Sequence, residues 1–420
     1  MVTSASASAS TPRPRPFSVL KRNPTYAPLS TSHLNTFSTL TDLDEILDYT
    51  NPNSALSKLL IPRAAGSQNL TTLQTYLVDF FTDLGWHVEQ DRFTAKTPIG
   101  DKRFNNLVIT HDPHATRRFV FAAHLDSKYF PTHPDDQFIG ATDSAAPCAM
   151  LMDLAKSLTP WLDARKKRIL AQGGEEGRST QAETLQIIFF DGEEAFVDWT
   201  YDDSIYGARH LAKKWSQPST RPSAIENVPR TEMQRISHFV LLDLLGALNP
   251  YCRSFYGPTG WLYDEFVNVE KKLGEAGILW PGHKGKGYAR VAMADAENNP
   301  MKSFFMPRSS FGFMVEDDHI PFLEAGVPVV HMISVPFPTV WHTMLDNVDA
   351  LHLPTIKAWA LIIRLVTVEY LGLDPQGGST TVKGKTPPDE DKAKRRNELV
   401  SPIERPRSWS VRHLTIRDAN

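Results

Sequence analysis

Apolar runs of strand length alternate along this chain with segments of helical spacing. "NNLVITHD" (105–112), "RRFVFAAHLDS" (117–127), "LQIIFFDGEE" (185–194), "SHFVLLDLLGA" (237–247) and "VPVVHMISV" (327–335) are short and rich in branched and aromatic residues. "TLQTYLVDFFTDLG" (72–85) has apolar residues at helical spacing, with Gly85 as a stop, and "WHVEQDRFTA" (86–95) alternates like a strand. "APCAMLMDLAKSLTPWL" (146–162), "SIYGARHLAKKW" (204–215) and "GWLYDEFVNVEKKLGEAG" (260–277) read as further helices. "TIKAWALIIRLVTVEYL" (355–371), broken by Arg364 and Glu369, reads as a closing amphipathic helix. Strands interleaved with helices predict an α/β class: a single domain whose mostly parallel central sheet is covered by helices on both faces.

The ends of the chain differ in composition from this pattern. Residues 1–36 are rich in Ser, Ala, Thr and Pro and are expected to be a disordered N-terminal segment; residues 374–420 are expected to be a disordered polar tail. Residues 37–373 then form the domain, with 171–184 and 217–236 as polar surface insertions. A net charge of -3 argues against a nucleic-acid surface. No apolar run approaches the ~20 residues of a membrane span. "MVTSASASASTPRPRPF" has no apolar core of a signal peptide, so the chain as written is expected not to be exported. Cys148 and Cys252 read as buried free thiols.

Many of the chain's strand ends are acids or histidines. His124 and Asp126 close one run; Asp143 lies in "IGATDSA"; Asp191, Glu193 and Glu194 end "FFDGEE". Asp243 interrupts "FVLLDLLGA", Asp317, Asp318 and His319 lie in "VEDDHIPF", and His342 follows Trp341 in "FPTVWHTMLDN". Ligands of open α/β sheets bind beyond the carboxyl ends of the strands, so these side chains point to one place. Crowded carboxylates repel and lose hydration, and a divalent cation resolves both problems. A His, Asp and Glu set without thiolates suits catalytic zinc, and Asp143, Glu194 and His342 form a consistent set. His124 and Asp243 either complete a second metal position or hydrogen-bond to the first. Taken singly, Asp143 would be a helix cap, Asp318 a cap or surface acid and His319 a core histidine, and His133, His210 and His283 have no supporting context.

"AAHLDSKYF", "GATDSAAPCAMLMDLA", "LQIIFFDGEEAFVDWTYDDSIYGARHLA", "VLLDLLGALNP" and "EDDHIPFLEAGVPVVHMISVPFPTVWHTMLDN" resemble the glutaminyl-peptide cyclotransferases, in order over residues 37–372. That family belongs to a superfamily of zinc aminopeptidase-like α/β proteins. The resemblance implies one zinc ion (Zn2+) per chain on Asp143, Glu194 and His342. It implies Glu193 as the proton-transfer residue, and Asp243 with Asp317 as a hydrogen-bonding acid pair. Trp199, Phe337 and Trp341 become the pocket wall, with His124 near the metal. Animal secreted members pair the cysteine of "APC" with one just before that histidine; here the position is Ala123, which leaves Cys148 without that partner.

The expected reaction is ring closure of an N-terminal glutamine, more slowly glutamate, to pyroglutamate with release of ammonia. The partners are peptide and protein N-termini, and the enzyme is expected to act as a monomer with no nucleic acid. Asp243 and Asp317, at ~3 Å, would share a proton. A zinc aminopeptidase of the same superfamily, with one or two ions, is the rival from the same fold. A non-catalytic binding protein on this scaffold is the rival from another class. The family is mostly secretory, so the compartment stays open.

Overall fold

The computed structural model describes residues 29–39, 43–181, 183–218, 230–279, 293–294, 300–301, 303–308 and 314–373. His283, residues 1–28 and the polar tail from 374 lie outside these residues. In chain order the helices are α1 (Thr31–Ser38), α2 (Leu43–Leu47), α3 (Ala55–Leu59), α4 (Gln68–Asp83), α5 (Ala146–Gln181), α6 (Tyr206–Trp215), α7 (Gly260–Glu275), α8 (Ile320–Glu324) and α9 (Leu353–Leu371). The strands are β1 (His87–Thr97), β2 (Gly100–Thr110), β3 (Arg117–His124), β4 (Glu183–Phe190), β5 (Ile236–Asp243), β6 (Met293–Ala294), β7 (Pro300–Met301) and β8 (Val329–Ile333). Among the described residues no helix is long and apolar enough to cross a membrane.

Six strands form one sheet in the order β1-β2-β4-β3-β5-β8. β1 and β2 make an antiparallel hairpin, β2 runs antiparallel to β4, and β4, β3, β5 and β8 are parallel to one another. The sheet is therefore mixed but mostly parallel, and its parallel strands β4, β3, β5 and β8 are those that lead into the acid- and histidine-bearing loops. Alternate residues of each central strand enter different cores, as the two-residue period requires. Phe119, Phe121 and Ala123 of β3 pack with α4, α5 and α9, whereas Val120 and Ala122 pack with α6 and α8. A one-residue slip of β3 would exchange these faces and carry His124 away from its partners.

Three expectations change. Helix α1 brings Leu34 and Phe37 into the main core, so the folded region starts before residue 37. The backbone of α5 continues to Gln181, so most of the stretch read as a surface insertion is helix; its Ala, Gln, Glu and Arg residues are good helix formers that outweigh the Gly173–Gly174 pair. Helix α9 is buried around nearly its whole circumference and is not amphipathic. Arg364, which looked like part of a polar face, is buried and pairs with both carboxylate oxygens of Asp153 at 2.8 Å.

Candidate active site

The four parallel strands end on the same edge of the sheet, which brings their terminal side chains together. After β4 the chain turns at Gly192, where φ is +82° and a Cβ would lie 2.4 Å from the Phe104 ring. That position needs glycine for both reasons. The fully buried Asp126, two residues beyond β3, accepts the N–H groups of Gly192 (2.9 Å), Glu193 (3.2 Å) and Glu194 (3.2 Å). Three consecutive donors on one carboxylate form an anion-binding nest and set the backbone that carries both glutamates.

Asp143 sits in the Ala141–Ala145 turn that leads into α5, at φ -120° and ψ 77°. Its side chain caps nothing. Oδ1 lies 2.9 Å from His124 Nε2 and Oδ2 lies 3.4 Å from His342 Nε2. Glu194 Oε1 is 3.3 Å from the same His342 nitrogen. His342 holds a left-handed backbone at φ +55°, a strained position for a side-chain-bearing residue and one common at functional sites. Asp143 Oδ2 and both Glu194 oxygens are buried with no hydrogen-bond donor. Burial works against its ionised form, yet His124 and His342 hold the Asp143 carboxyl well below the usual range. Burial likewise opposes the His342 cation, but Glu194 and Asp143 push its pKa up to about 9. Two carboxylates and an imidazole that converge, with Asp143 Oδ2 and both Glu194 oxygens lacking a donor, suit a zinc ion in donor type and number.

Two further groups of ligand type close within 4.8 Å among the described residues: His124, Asp143 and Asp243, and Asp317, His319 and His331. Both are supplied with protein donors. Asp243 Oδ1 accepts the Ser144 hydroxyl and the Leu244 N–H (2.8 Å), and faces His124 Nε2 at 3.3 Å. Asp317 Oδ2 meets His331 Nε2 at 2.7 Å and its Oδ1 accepts the Asp318 N–H. His319 is a fully buried core histidine whose Nε2 meets the Tyr256 hydroxyl. The hydrogen bonds of Asp243 and Asp317 thus go to other residues and not to each other. They remain electrostatically linked: burial first, and then Asp317, raise Asp243 to about 6.

Glu193 is buried beside these acids. Burial, followed by the charges of Glu194, Asp317 and Asp318, raises its carboxyl well above the ordinary value, with His124 opposing. Asp318 corrects the sequence reading: it is neither a cap nor a surface acid. It is fully buried, and neither carboxylate oxygen has a donor. Asp317, Asp318 and His319 are all buried ahead of α8, so the segment enters that helix from the interior and not from solvent.

Phe337 and Trp341 stand edge to face at 4.9 Å, and Trp341 stacks on His342 at 3.9 Å. Trp199, 40% exposed, stands on the loop after Glu194, and its indole N–H donates to Glu316, the neighbour of Asp317. His133 is exposed and His210 stacks on Phe93, both away from this cluster. Cys148 and Cys252 are buried and free. The sequence reading missed the roles of Asp126, Ser144 and His331. The spacing of Asp126 from His124 was a visible signal; for Ser144 and His331 only the fold reveals the partner.

Comparison with known proteins agrees with this geometry. The family model of peptidase family M28 matches residues 106–367. A glutaminyl-peptide cyclotransferase of Drosophila melanogaster is 40% identical over 331 residues, covering 79% of this chain and 83% of that protein. The crystal structure of Macrostomum lignano glutaminyl cyclase superposes with a TM-score of 0.65 at 34% identity, over 83% of this chain and 95% of that one. A Zn-dependent exopeptidase from Parabacteroides distasonis shares the fold, with a TM-score of 0.53 at 19% identity over 78% of this chain and 98% of that one. This chain belongs to peptidase family M28 and, within it, to the glutaminyl-peptide cyclotransferases.

Proposed function

We propose that this site cyclises N-terminal glutamine of peptides and proteins, and glutamate more slowly, with one zinc ion held by Asp143, Glu194 and His342. The observation that carries the reading is the division of labour in "DGEE". Neither Glu194 oxygen has a hydrogen-bond donor, Oε1 facing His342 at 3.3 Å and Oε2 lying 3.8 Å from the Lys128 ammonium, while burial and the neighbouring acids raise the carboxyl of Glu193, on the same loop, well above its ordinary value. Bound zinc would supply Lewis-acid polarisation of the substrate's side-chain carbonyl.

The chain's own residues do the rest. Glu193 accepts a proton from the α-amino nitrogen as that nitrogen bonds the side-chain carbonyl carbon. It returns the proton to the departing nitrogen as the amide C–N bond breaks and ammonia leaves. A raised pKa suits a group that must both take and give a proton near neutrality. Asp243 and Asp317 would hold the amine and the leaving amide, and Trp199, Phe337 and Trp341 would orient the short side chain for ring closure. The rival aminopeptidase chemistry finds support in the His124, Asp143 and Asp243 group. The donors already placed on Asp243 weigh against a second ion there.

Incubation with Gln-Ala and with a leucyl anilide separates the two readings. Ammonia from the dipeptide without anilide cleavage is expected; the opposite pattern would end the cyclase reading. Glu193→Gln should keep zinc and lose about 10²–10⁴-fold in kcat, the usual contribution of a proton-transfer group. Glu194→Gln should weaken zinc binding. Near-normal turnover by Glu193→Gln would remove it from the mechanism.

A further inference from the structure

The backbone of residues 139–143 is gripped from two sides by the side chains of Arg63 and Asp346. Arg63, just beyond α3, is fully buried. Its five N–H groups all end on carbonyl oxygens. Nε donates to Leu125 O at 2.6 Å; Nη1 donates to Leu59 O and to Ile139 O; Nη2 donates to Gly140 O at 3.0 Å and to Asp143 O at 3.4 Å. Asp346, four residues beyond His342, is 1% exposed and takes the complementary groups. Its Oδ1 accepts the Thr142 N–H at 2.8 Å and the Thr142 hydroxyl at 2.9 Å, and its backbone carbonyl accepts the Ala141 N–H at 3.0 Å. Between them Gly140 runs at φ +49°, where a Cβ would lie 2.2 Å from the Asp143 carbonyl oxygen.

We infer that Arg63 and Asp346 act as a positioning pair that presets Asp143 for the metal before any ion arrives. The guanidinium holds the carbonyls of Ile139, Gly140 and Asp143, while Asp346 holds the Thr142 N–H through its carboxylate and the Ala141 N–H through its backbone carbonyl, so the turn that carries Asp143 is pinned at its entry and at its exit. Because Asp346 belongs to the loop of His342, the same contacts fix the separation of two proposed ligands that lie far apart in sequence. A buried arginine spent wholly on carbonyl oxygens is a costly way to stabilise a fold, but it is a direct way to hold one backbone turn. The inference rests on the proposed role of Asp143, Glu194 and His342.

The test measures zinc affinity by competition with a chromophoric chelator, on folded full-length protein, alongside kcat. Asp346→Ala is expected to weaken zinc by about 10–100-fold, the range for partners that orient metal ligands. Asp346→Asn keeps an acceptor at the Oδ1 position and is expected to retain most of the affinity. Arg63→Lys keeps the charge but not the fork and is expected to lose affinity as Asp346→Ala does; it serves if the alanine variant does not fold. A wild-type chain that takes up no zinc overturns the functional reading and this inference with it. A zinc-binding wild type beside Asp346→Ala and Arg63→Lys of equal affinity overturns the inference alone. Loss in Asp346→Asn as deep as in Asp346→Ala also overturns it, because charge and not backbone support would then be responsible.

Discussion

Asp191 and Glu193 stand two residues apart on one loop, both buried, and their carboxyls are raised for different ends. Glu193 is raised where a proton must move. Asp191 lies behind it, with Oδ2 accepting the Asn105 N–H (2.7 Å) and the Gln74 amide (2.9 Å), which ties the loop to β2 and α4. Its Oδ1 is buried with no donor. Burial, and then the charge of Asp126, lift its pKa from 3.8 to about 7. A folded-state pKa above the unfolded one gives stability that is full below 3.8 and is lost as pH rises through 7. At about 1.4 kcal/mol per pH unit, the loss is on the order of 4 kcal/mol. Asp191→Asn keeps a neutral acceptor and cannot ionise. Thermal melting across pH should show the variant gaining on the wild type from pH 4 to pH 7 and holding a constant lead above it. Parallel curves for the two proteins would refute the assignment.

At the scale of elements, α9 shows where sequence patterns mislead. Its two charges suggested a solvent face, yet the partner of Arg364 is Asp153 of α5, 211 residues away in sequence. Periodicity records how often charges occur and not what they meet. Strands β3, β4, β5 and β8 were legible because a run buried on both faces has to be apolar throughout. The length of α5 was not legible, because a polar stretch leaving the core looks the same as a loop. The Arg364–Asp153 pair joins α5 and α9, two of the helices that cover one face of the sheet. Arg364→Met should destabilise the protein by about 3–5 kcal/mol in denaturant titration, since it removes the cation that faces a buried aspartate. The double variant Arg364→Met, Asp153→Leu should recover most of that loss. If the double variant were no more stable than the single one, the pair would be structural in some way beyond its charge.

Across the whole molecule, the candidate site was legible to the extent that its residues are chemical groups at the ends of apolar strands. Glu193, Glu194, Asp243, His124 and His342 stand out because burial of such groups demands a reason. Arg63 and Asp346 do not stand out, because they act on main-chain atoms, and no side-chain pattern records where a carbonyl will be. The three proposed ligands also come from separate parts of the chain: the turn before α5, the loop after β4 and the loop after β8. An ion there would cross-link segments that the fold alone brings together, so metal binding and global stability should be coupled. Free zinc at about 100 times its dissociation constant adds about 2.7 kcal/mol to the folded state. Stripping the protein with a chelator should therefore lower Tm and abolish turnover, and zinc should restore both at one equivalent per chain. Glu193→Gln should show the same zinc-dependent rise in Tm while staying inactive, and Glu194→Gln should show little of it. A second equivalent needed for full recovery would place an ion at His124 and Asp243 and return the aminopeptidase chemistry to consideration.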